Sequence, residues 1–250
     1  MIEARKIFKS YENKDVLYDI NIIFERGKIN QIIGQSGSGK TVLMKCLVGL
    51  DEVTSGDVFY DERNFTKMSM KERKILRQEL GMVFQAGALF DSMPLMDNIM
   101  FPLQMFSKMS QADMIKRAEF CLDRVGLSDA GNVLPDELSG GMQKRASIAR
   151  AIALNPKYLF CDEPNSGLDP KTGVKIDDLI EEITLEFGIT TVINTHDMNS
   201  VIQHGDNINY IAEGKVEWQG NKNDFLTSRN IKLNDFIYST ELLKRIKARQ

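Results

Sequence analysis

One segment of this 250-residue chain indicates its fold most clearly, namely Gly34-Gln35-Ser36-Gly37-Ser38-Gly39-Lys40-Thr41. It matches the pattern G-x-x-x-x-G-K-[ST], in which glycines let backbone N–H groups curl around phosphate oxygens. A short β-strand pattern, Asn30–Ile33, precedes it, and residues 41–50 follow with helical spacing. The helix would add its positive N-terminal end to the site. The segment therefore predicts a nucleoside triphosphate site, in which Lys40 reaches the outer phosphates and Thr41 ligates Mg²⁺.

An apolar strand that ends in two carboxylates forms a second constellation. The strand is Tyr158–Cys161, and Asp162 and Glu163 follow it directly. Strand ends face the ligand crevice in open α/β sheets. Asp162 is therefore expected to hold the Mg²⁺ that bridges the phosphates, and Glu163 to polarise the attacking water.

A second glycine loop, Leu138-Ser139-Gly140-Gly141-Met142, opens another predicted helix. Ser139 and two glycines at a helix N-terminus make a second anion site in the same chain. One triphosphate does not need two such loops from one domain. We therefore expect a head-to-tail dimer, in which each nucleotide lies between the phosphate loop of one subunit and the Ser139 loop of the other.

The order of elements predicts an α/β fold with a mostly parallel sheet, since strands alternate with helices along most of the chain. Predicted helices crowd residues 95–150, which indicates a helical subdomain there. Hydrophobic residues make up 42% and charged residues 27% of the chain, as in ordinary globular proteins. The net charge of −3 gives no general reason to expect nucleic acid as a partner.

Sequence features also bear on the compartment. No apolar run approaches the roughly 18–20 residues that span a bilayer, and residues 1–10 have no apolar core of a secretory signal. The chain is expected in the cytoplasm. Cys46, Cys121 and Cys161 lack metal-binding spacing and are interpreted as buried apolar residues.

Taken together, the motifs resemble the nucleotide-binding subunit of an ATP-binding cassette (ABC) transporter over at least residues 5–220. The resemblance implies a P-loop NTPase (RecA-like) core with a small antiparallel β subdomain and a helical subdomain carrying the signature loop. It also implies that residues 1–250 form one ABC ATPase domain. The helical subdomain would lie at about 90–150 and a C-terminal extension at about 222–250. The matching residues are Tyr11 for adenine stacking, Gly34, Gln35, Ser36, Gly37, Ser38, Gly39, Lys40 and Thr41 for Walker A, Gln85 for the Q-loop, Ser139, Gly140 and Gly141 for the signature loop, Asp162 and Glu163 for Walker B, Asp169 for the D-loop and His196 for the switch.

The resemblance implies ATP and Mg²⁺ as cofactors and an ATPase activity coupled to transport. Glu163, His196 and Gln85 would be catalytic, and Thr41, Gln85 and Asp162 would ligate the metal. One position departs from the family pattern, because Met142 stands where the signature usually has glutamine and Gln143 follows. The role of the fifth signature side chain is open at this point.

The sequence around the Q-loop resembles the sequences of one subgroup of the family. Residues 84–93 and 138–146, and Asn98 with Phe101-Pro102-Leu103, are similar to the Mla/Mkl proteins, which power phospholipid movement between membranes with MCE-domain partners. Phospholipid transport is the main interpretation. An ATPase of a small-solute importer, such as an amino acid importer, is the alternative, and a cell-division ATPase that signals across the membrane is another. Translation or DNA-repair cassettes are disfavoured, because neither paired cassettes nor long coiled coils are evident.

The implied partners are a second copy of the chain, integral-membrane permease subunits and an MCE-domain lipid-binding protein, with no nucleic acid. The chain would lie on the cytoplasmic face of the inner membrane, held there by the permease. Seven methionines between 82 and 114 are interpreted either as core filling or as a deformable groove for a permease helix, with Met93 and Met96 as test positions. Residues 240–250 have the pattern of a short basic amphipathic helix, which could pack on the domain, strap the dimer or contact lipid.

Overall fold

The computed structural model describes residues 1–12 and 14–238 of the chain. Its strands are β1 (Ile2–Tyr11), β2 (Lys14–Phe24), β3 (Ile29–Ile33), β4 (Ser55–Tyr60), β5 (Arg63–Asn64), β6 (Leu80–Val83), β7 (Tyr158–Asp162), β8 (Thr190–Thr195), β9 (Asn207–Ala212) and β10 (Lys215–Gly220). Its α-helices are α1 (Lys40–Val48), α2 (Met70–Arg77), α3 (Leu95–Phe106), α4 (Gln111–Arg124), α5 (Gly140–Ala151), α6 (Pro170–Phe187), α7 (Met198–His204), α8 (Lys222–Phe225) and α9 (Ile231–Ile237).

The chain forms two compact units. The first contains Met1–Glu25, Ile29–Lys67 and the residues from Asn194 onward. The second contains Arg26–Lys28 and Met68–Ile193. Strand β8 begins in the second unit and ends in the first.

An antiparallel sheet forms one part of the first unit, with the strand order β2-β1-β4-β5. Along β2 the side chains of Ile20, Ile22 and Phe24 are buried, and the residues between them are exposed. This alternation is expected for a sheet with one face on the core and one face in solvent. The sheet is the small antiparallel β subdomain that the sequence predicted.

The other part of the first unit is built on β9, which pairs in parallel with β3 and antiparallel with β10. All five residues of β3 are buried, as expected for a strand covered on both faces. Helices α8 and α9 contribute Phe225, Leu233 and Phe236 to a core cluster with Tyr210. Residues 222–238 of the predicted C-terminal extension thus pack into this unit, whereas the predicted helix at 240–250 lies outside the described residues.

The second unit contains the parallel pair β6 and β7, with Val83 opposite Cys161 in register. Helices α3, α4 and α5 pack against one another and form the helical subdomain. Helix α5 begins directly after Ser139, so the subdomain carries the signature loop, as predicted. Within the second unit, these elements agree with the helical subdomain that the resemblance implies.

Several elements differ from the sequence-based expectation, and β6 and α6 show the physical reasons. Strand β6 was not predicted, because it is short and contains Gly81, a residue of low β propensity. Its glycine is needed for packing, since a Cβ there would lie 2.5 Å from the Ala151 carbonyl oxygen at the end of α5. The sequence predicts a helix over Val174–Phe187, whereas α6 begins four residues earlier, at Pro170. Asp169 accepts a hydrogen bond from the Thr172 N–H and caps the earlier start, where proline is well tolerated.

Within residues 1–12 and 14–238, no helix combines the length and apolar character required to span a bilayer. The three cysteines are buried and unbridged, as the sequence predicted. Burial raises the pKa of the Cys46 and Cys121 thiols to about 11, which keeps them protonated at neutral pH.

Candidate functional site

The predicted site residues are divided between the two units. Tyr11, residues 34–41 and His196 belong to the first unit. Gln85, residues 139–141, Asp162, Glu163 and Asp169 belong to the second. Each group has its own internal geometry.

The phosphate loop connects β3 to α1 in the first unit. Lys40 is the first residue of α1 and only 6% exposed. Its Nζ donates hydrogen bonds to the carbonyl oxygens of Gly34 (2.8 Å) and Gln35 (3.0 Å). The ammonium group is therefore held over the loop, where its charge favours phosphate.

Two glycines give the phosphate loop its shape. Gly34 has φ 151° and Gly39 has φ 106°, in a region that side chains rarely adopt. A Cβ on Gly34 would lie 2.2 Å from the Ile211 carbonyl oxygen, and one on Gly39 would lie 2.8 Å from Leu17 Cδ2. Only glycine fits at both positions. The loop backbone and the N-terminus of α1 thus form a cradle of the type that binds phosphate groups, so the residues present fit a triphosphate.

The sequence predicts that Tyr11 lies just before the first strand, Val16–Phe24, whereas in the structure it is the last residue of β1. It pairs with Lys14 across the turn into β2. Its hydroxyl donates to Asp51 Oδ2 at 2.6 Å, and this bond raises the pKa of Tyr11 to about 12. The ring is 40% exposed, with Lys9 Nζ 4.4 Å from its centroid. An exposed and anchored ring of this kind is available for stacking on a base.

His196 follows the end of β8 and its side chain is exposed. Asp197 caps α7 immediately after it by accepting a hydrogen bond from the Asn199 N–H at 2.9 Å. The Asp197 N–H donates to Thr195 Oγ1 at 3.0 Å. The residues on both sides of His196 are thus fixed, and the imidazole projects from a strand end as predicted.

In the second unit, the structure brings Gln85 and Glu163 together. Gln85 Nε2 lies 3.4 Å from Glu163 Oε2 and 3.4 Å from Ser166 Oγ. With the side-chain nitrogen directed to these oxygens, the side-chain oxygen of Gln85, Oε1, is left for a metal or a water. Glu163 has φ 47°, in the left-handed region that is uncommon for a residue with a side chain. Backbone strain of this kind concentrates at functional sites.

The predicted metal ligands supply only oxygen donors. Asp162 is the last residue of β7 and half-buried, and Thr41 lies in the first turn of α1. A carboxylate, a hydroxyl and the amide oxygen of Gln85 are the ligand types that Mg²⁺ prefers. Mg²⁺ at nucleotide sites takes few protein ligands, because phosphates and waters complete its octahedron.

The signature loop and the D-loop line one small cavity of about 310 Å³ in the second unit. Ser139 and Gly140 are exposed, and Asp169 lies in the same lining. Ser139 Oγ accepts the Met142 N–H at 3.4 Å and caps α5. Because the hydroxyl acts as acceptor in the cap, its proton remains available to a phosphate oxygen. The Thr172 contacts of the Asp169 carboxylate lower its pKa.

The structure answers the question raised by Met142. The side chains of Met142 and Gln143 lie in different surroundings. Gln143 Nε2 donates to the Pro135 carbonyl oxygen at 2.8 Å and holds the turn before the signature loop. Met142 itself lines the cavity beside the D-loop.

Sequence reasoning missed three residues of α5 that hold the loop around Gln85. These are Lys144, Ser147 and Arg150, whose polar atoms contact the carbonyl oxygens of residues 85, 87 and 88. Their spacing of three residues on an otherwise apolar helix face was the available signal.

Comparison with known proteins decides the family. The family model described as "ABC transporter" matches residues 17–166, more than half of the chain. The chain belongs to the ABC transporter family. As an ABC cassette it binds ATP, and the cassettes it resembles are ATPases coupled to transport.

Curated relatives include methionine import ATP-binding proteins. The protein from Clostridioides difficile (strain 630) is 39% identical over 216 residues, which cover 86% of this chain and 67% of the relative. The protein from Haemophilus influenzae (strain 86-028NP) is 38% identical over 245 residues, which cover 96% of this chain and 71% of the relative. The chain thus spans about two thirds to three quarters of the length of these relatives.

Solved structures with the same fold include two cassettes. The cassette MJ0796, a dimer in a post-hydrolysis state bound to ADP and Pi, is 33% identical with a TM-score of 0.81. The match covers 89% of this ABC chain and 99% of MJ0796. CbiO1 from Clostridium perfringens, part of the CbiONQ transporter complex, is 28% identical with a TM-score of 0.85 and 98% coverage of both chains.

Proposed function

We propose that this chain is the ATPase subunit of an ABC transporter, and that it works as a head-to-tail dimer with a second copy of itself. The geometry of the phosphate loop carries the proposal, because Lys40 and the two glycines form a cradle that fits a triphosphate. The dimer is supported by the second anion site at Ser139 and by the dimeric state of the related cassette MJ0796. Residues 1–250 act as one ABC ATPase domain.

The residues of the first unit bind the nucleotide. Lys40 and the amides of residues 34–39 hold the phosphates, and Tyr11 stacks on the adenine. Thr41 of this unit and Asp162 of the second unit would hold Mg²⁺, which would neutralise charge on the phosphate oxygens. His196 donates a hydrogen bond toward the γ-phosphate.

The carboxylate of Glu163 orients and polarises the attacking water. The Gln85 amide, 3.4 Å away, fixes the carboxylate through Nε2 and directs its carbonyl oxygen to the metal or the water. Ser139, Gly140 and Gly141 contact the nucleotide held by the partner subunit, and Asp169 supports that contact from the D-loop. Loss of the γ-phosphate removes the charge that holds the two subunits closed.

An apolar groove in the second unit is the proposed docking site for the permease. The groove has a volume of about 410 Å³ and is lined by phenylalanines of α3 and of the connection from β6 to α3: Phe84, Phe90, Phe101 and Phe106. The predicted methionine groove is replaced by this aromatic one. Met93 and Met96 do not line it, and Met96 packs against Gly131 on another side of α3. Through the permease, the ATPase would be held on the inner face of the membrane.

The cargo is proposed from the comparisons. The curated relatives are methionine importers, and this supports a small solute such as an amino acid, the alternative in the sequence analysis. The phospholipid interpretation and its MCE-domain partner receive no support from these relatives. One observation still favours phospholipid as the second candidate cargo, namely the similarity of residues 84–93 and 138–146 to Mla/Mkl sequences.

The experiment is affinity purification of the Glu163→Gln variant from detergent-solubilised membranes with ATP, followed by mass spectrometry. A permease recovered with a solute-binding protein would support amino acid import. A permease recovered with an MCE-domain protein would support phospholipid transport instead. Recovery of a cell-wall hydrolase regulator, or of no membrane protein, would contradict the transporter role.

A pair of variants tests the groove in the same experiment. Phe106→Glu places a charge on an exposed ring of the groove, and we expect it to reduce permease recovery. Phe120→Glu is the matched control, because Phe120 is an equally exposed phenylalanine on α4 outside the groove. Equal recovery with both variants would reject the groove as the docking site.

A further inference from the structure

One face of α5 carries three side chains that hold the loop of residues 84–88, hereafter the Gln85 loop. Lys144 Nζ donates to the Gln85 carbonyl oxygen, and Ser147 Oγ lies 3.1 Å from the Gly87 carbonyl oxygen. Arg150 donates from Nη1 to the Ala88 carbonyl oxygen at 2.8 Å and from Nη2 to the Gly87 carbonyl oxygen at 3.1 Å. Positions three residues apart lie on the same side of a helix, so the three donors form one row.

Two of these donors are buried and the third is half-buried. Lys144 is 6% exposed and Ser147 is fully buried, whereas Arg150 is partly exposed. Burying a charged side chain is costly unless hydrogen bonds compensate it. Burial also lowers the pKa of the Lys144 ammonium and of the Arg150 guanidinium. Apolar side chains of similar size on this helix face would give a more stable protein. The polar side chains are therefore explained by their contacts with the loop.

The Gln85 loop has a shape that needs support. Gly87 has φ 75°, and Ala88 has φ 53°, which is unfavourable for a residue with a Cβ. A Cβ on Gly87 would lie 2.9 Å from Ser147 Oγ, so the loop backbone approaches α5 as closely as glycine allows. At the start of this turn, Gln85 directs its amide toward Glu163 and Ser166.

We propose that Lys144, Ser147 and Arg150 are positioning residues, which clamp the Gln85 loop on α5 so that the Gln85 amide meets Glu163. The inference rests on the proposed roles of Gln85 and Glu163 in hydrolysis. The clamp also connects the signature loop to the Gln85 loop within the second unit. Helix α5 begins at the signature loop, and its three polar side chains contact the Gln85 loop.

A double-mutant cycle on the full chain tests the clamp. Arg150→Met removes both charge-assisted hydrogen bonds to the loop and should lower kcat for ATP at least about tenfold, with KM nearly unchanged. Adding Arg150→Met to Gln85→Ala should lower kcat no further, because both changes act through the same amide. Arg150→Lys, which keeps one donor, should recover part of kcat.

The matched control is Arg117→Met. Arg117 also binds two backbone carbonyl oxygens, those of Ala153 (3.0 Å) and Ile152 (2.7 Å), but it does not touch the Gln85 loop. Its removal should leave kcat at the wild-type value and should add independently to Gln85→Ala. Equal losses of kcat in Arg117→Met and Arg150→Met would overturn the proposal, since the effect would then be one of general stability.

Hydrogen exchange gives a readout that does not depend on hydrolysis. In Arg150→Met and in the milder Ser147→Ala, the peptide covering residues 84–90 should exchange faster than in the wild type, and in Arg117→Met it should not. Wild-type exchange in both clamp variants would overturn the clamp. Faster exchange with a wild-type kcat for Gln85→Ala would instead contradict the proposed role of Gln85 in hydrolysis.

Discussion

At the scale of single residues, Glu163 combines strain with a defined partner. Its backbone is in the left-handed region, and its carboxylate lies 3.4 Å from the Gln85 amide. The structure holds this carboxylate in place through a turn in which the Ser166 N–H donates to the Glu163 carbonyl oxygen at 3.1 Å. A conformation of this cost is retained where a side chain has one required position.

The first prediction concerns the Glu163 carboxylate. Glu163→Gln keeps the shape of the side chain but removes the base, so kcat should fall at least about 100-fold while ATP affinity stays within about threefold. Steady-state phosphate release and titration with a fluorescent ATP analogue measure the two quantities. Glu119→Gln, at an exposed position on α4, is the control. Turnover within tenfold of the wild type would reject the assignment.

The second prediction concerns the buried ammonium of Lys144. Its pKa is lower in the folded protein than in the unfolded chain, so the unfolded chain binds more protons between these two values. The free energy of unfolding of the wild type should therefore rise, relative to Lys144→Met, as the pH increases toward the ordinary lysine pKa of about 10.4. Urea unfolding of both proteins across this range measures the difference.

The control for this measurement is Lys116→Met, which removes an exposed lysine of α4 and reports the background of losing one positive charge. A wild type that loses stability relative to Lys144→Met as the pH rises would contradict the burial argument. Lys144→Met should also lower kcat, because the ammonium holds the Gln85 carbonyl oxygen.

At the scale of elements, the approach of the Gln85 loop to α5 depends on Gly87. Gly87→Ala adds a Cβ at φ 75° and 2.9 Å from Ser147 Oγ. The backbone alone costs about 1–2 kcal/mol, and displacement of the loop adds to this. Chemical denaturation should show a larger loss than for Gly188→Ala, the control, which has φ 61° at the end of α6 and open space around it.

The two glycine variants should also differ in activity. Gly87→Ala should lower kcat, because a displaced loop moves Gln85 away from Glu163. Gly188→Ala should hydrolyse ATP at the wild-type rate despite its lower stability. Equal stability losses together with wild-type activity in both variants would show that the close approach of the loop to α5 is unimportant.

Much of the element pattern could be predicted from local signals. The alternation along β2, the apolar run of β7 and the serine cap of α5 follow directly from side-chain periodicity and capping. Strand β6 could not be predicted, because its glycine serves contact with α5 and not strand propensity. The phenylalanine groove was also missed, since its rings come from separate elements that only the tertiary fold brings together.

The site shows the same division between local and tertiary information. The phosphate loop, Asp162, Glu163 and Ser139 were recognisable because glycines, carboxylates and caps act through neighbouring backbone. The partners of Lys144 and Arg150 were not, since their acceptors lie about 60 residues away in sequence, at separations of 59 and 62 residues. Local patterns thus identify chemical groups, and tertiary packing decides what holds them.

At the scale of the whole molecule, the two loops proposed to bind phosphate lie on two compact units. The proposed head-to-tail dimer would give each loop a nucleotide, and the related cassette MJ0796 is a dimer with ADP and Pi. Phosphate charge would draw the Ser139 loop of one subunit to the nucleotide of the other. We therefore expect ATP binding to cause dimerisation of this protein.

Sedimentation of the Glu163→Gln variant with and without ATP and Mg²⁺ tests this claim most directly. We predict a dimer with ATP and a monomer with ADP. Adding Ser139→Arg should leave ATP binding intact and keep the protein monomeric. The large arginine side chain would prevent the loop from approaching the nucleotide of the partner subunit. An unchanged mass on addition of ATP, or dimerisation that persists in the Ser139→Arg protein, would contradict the account.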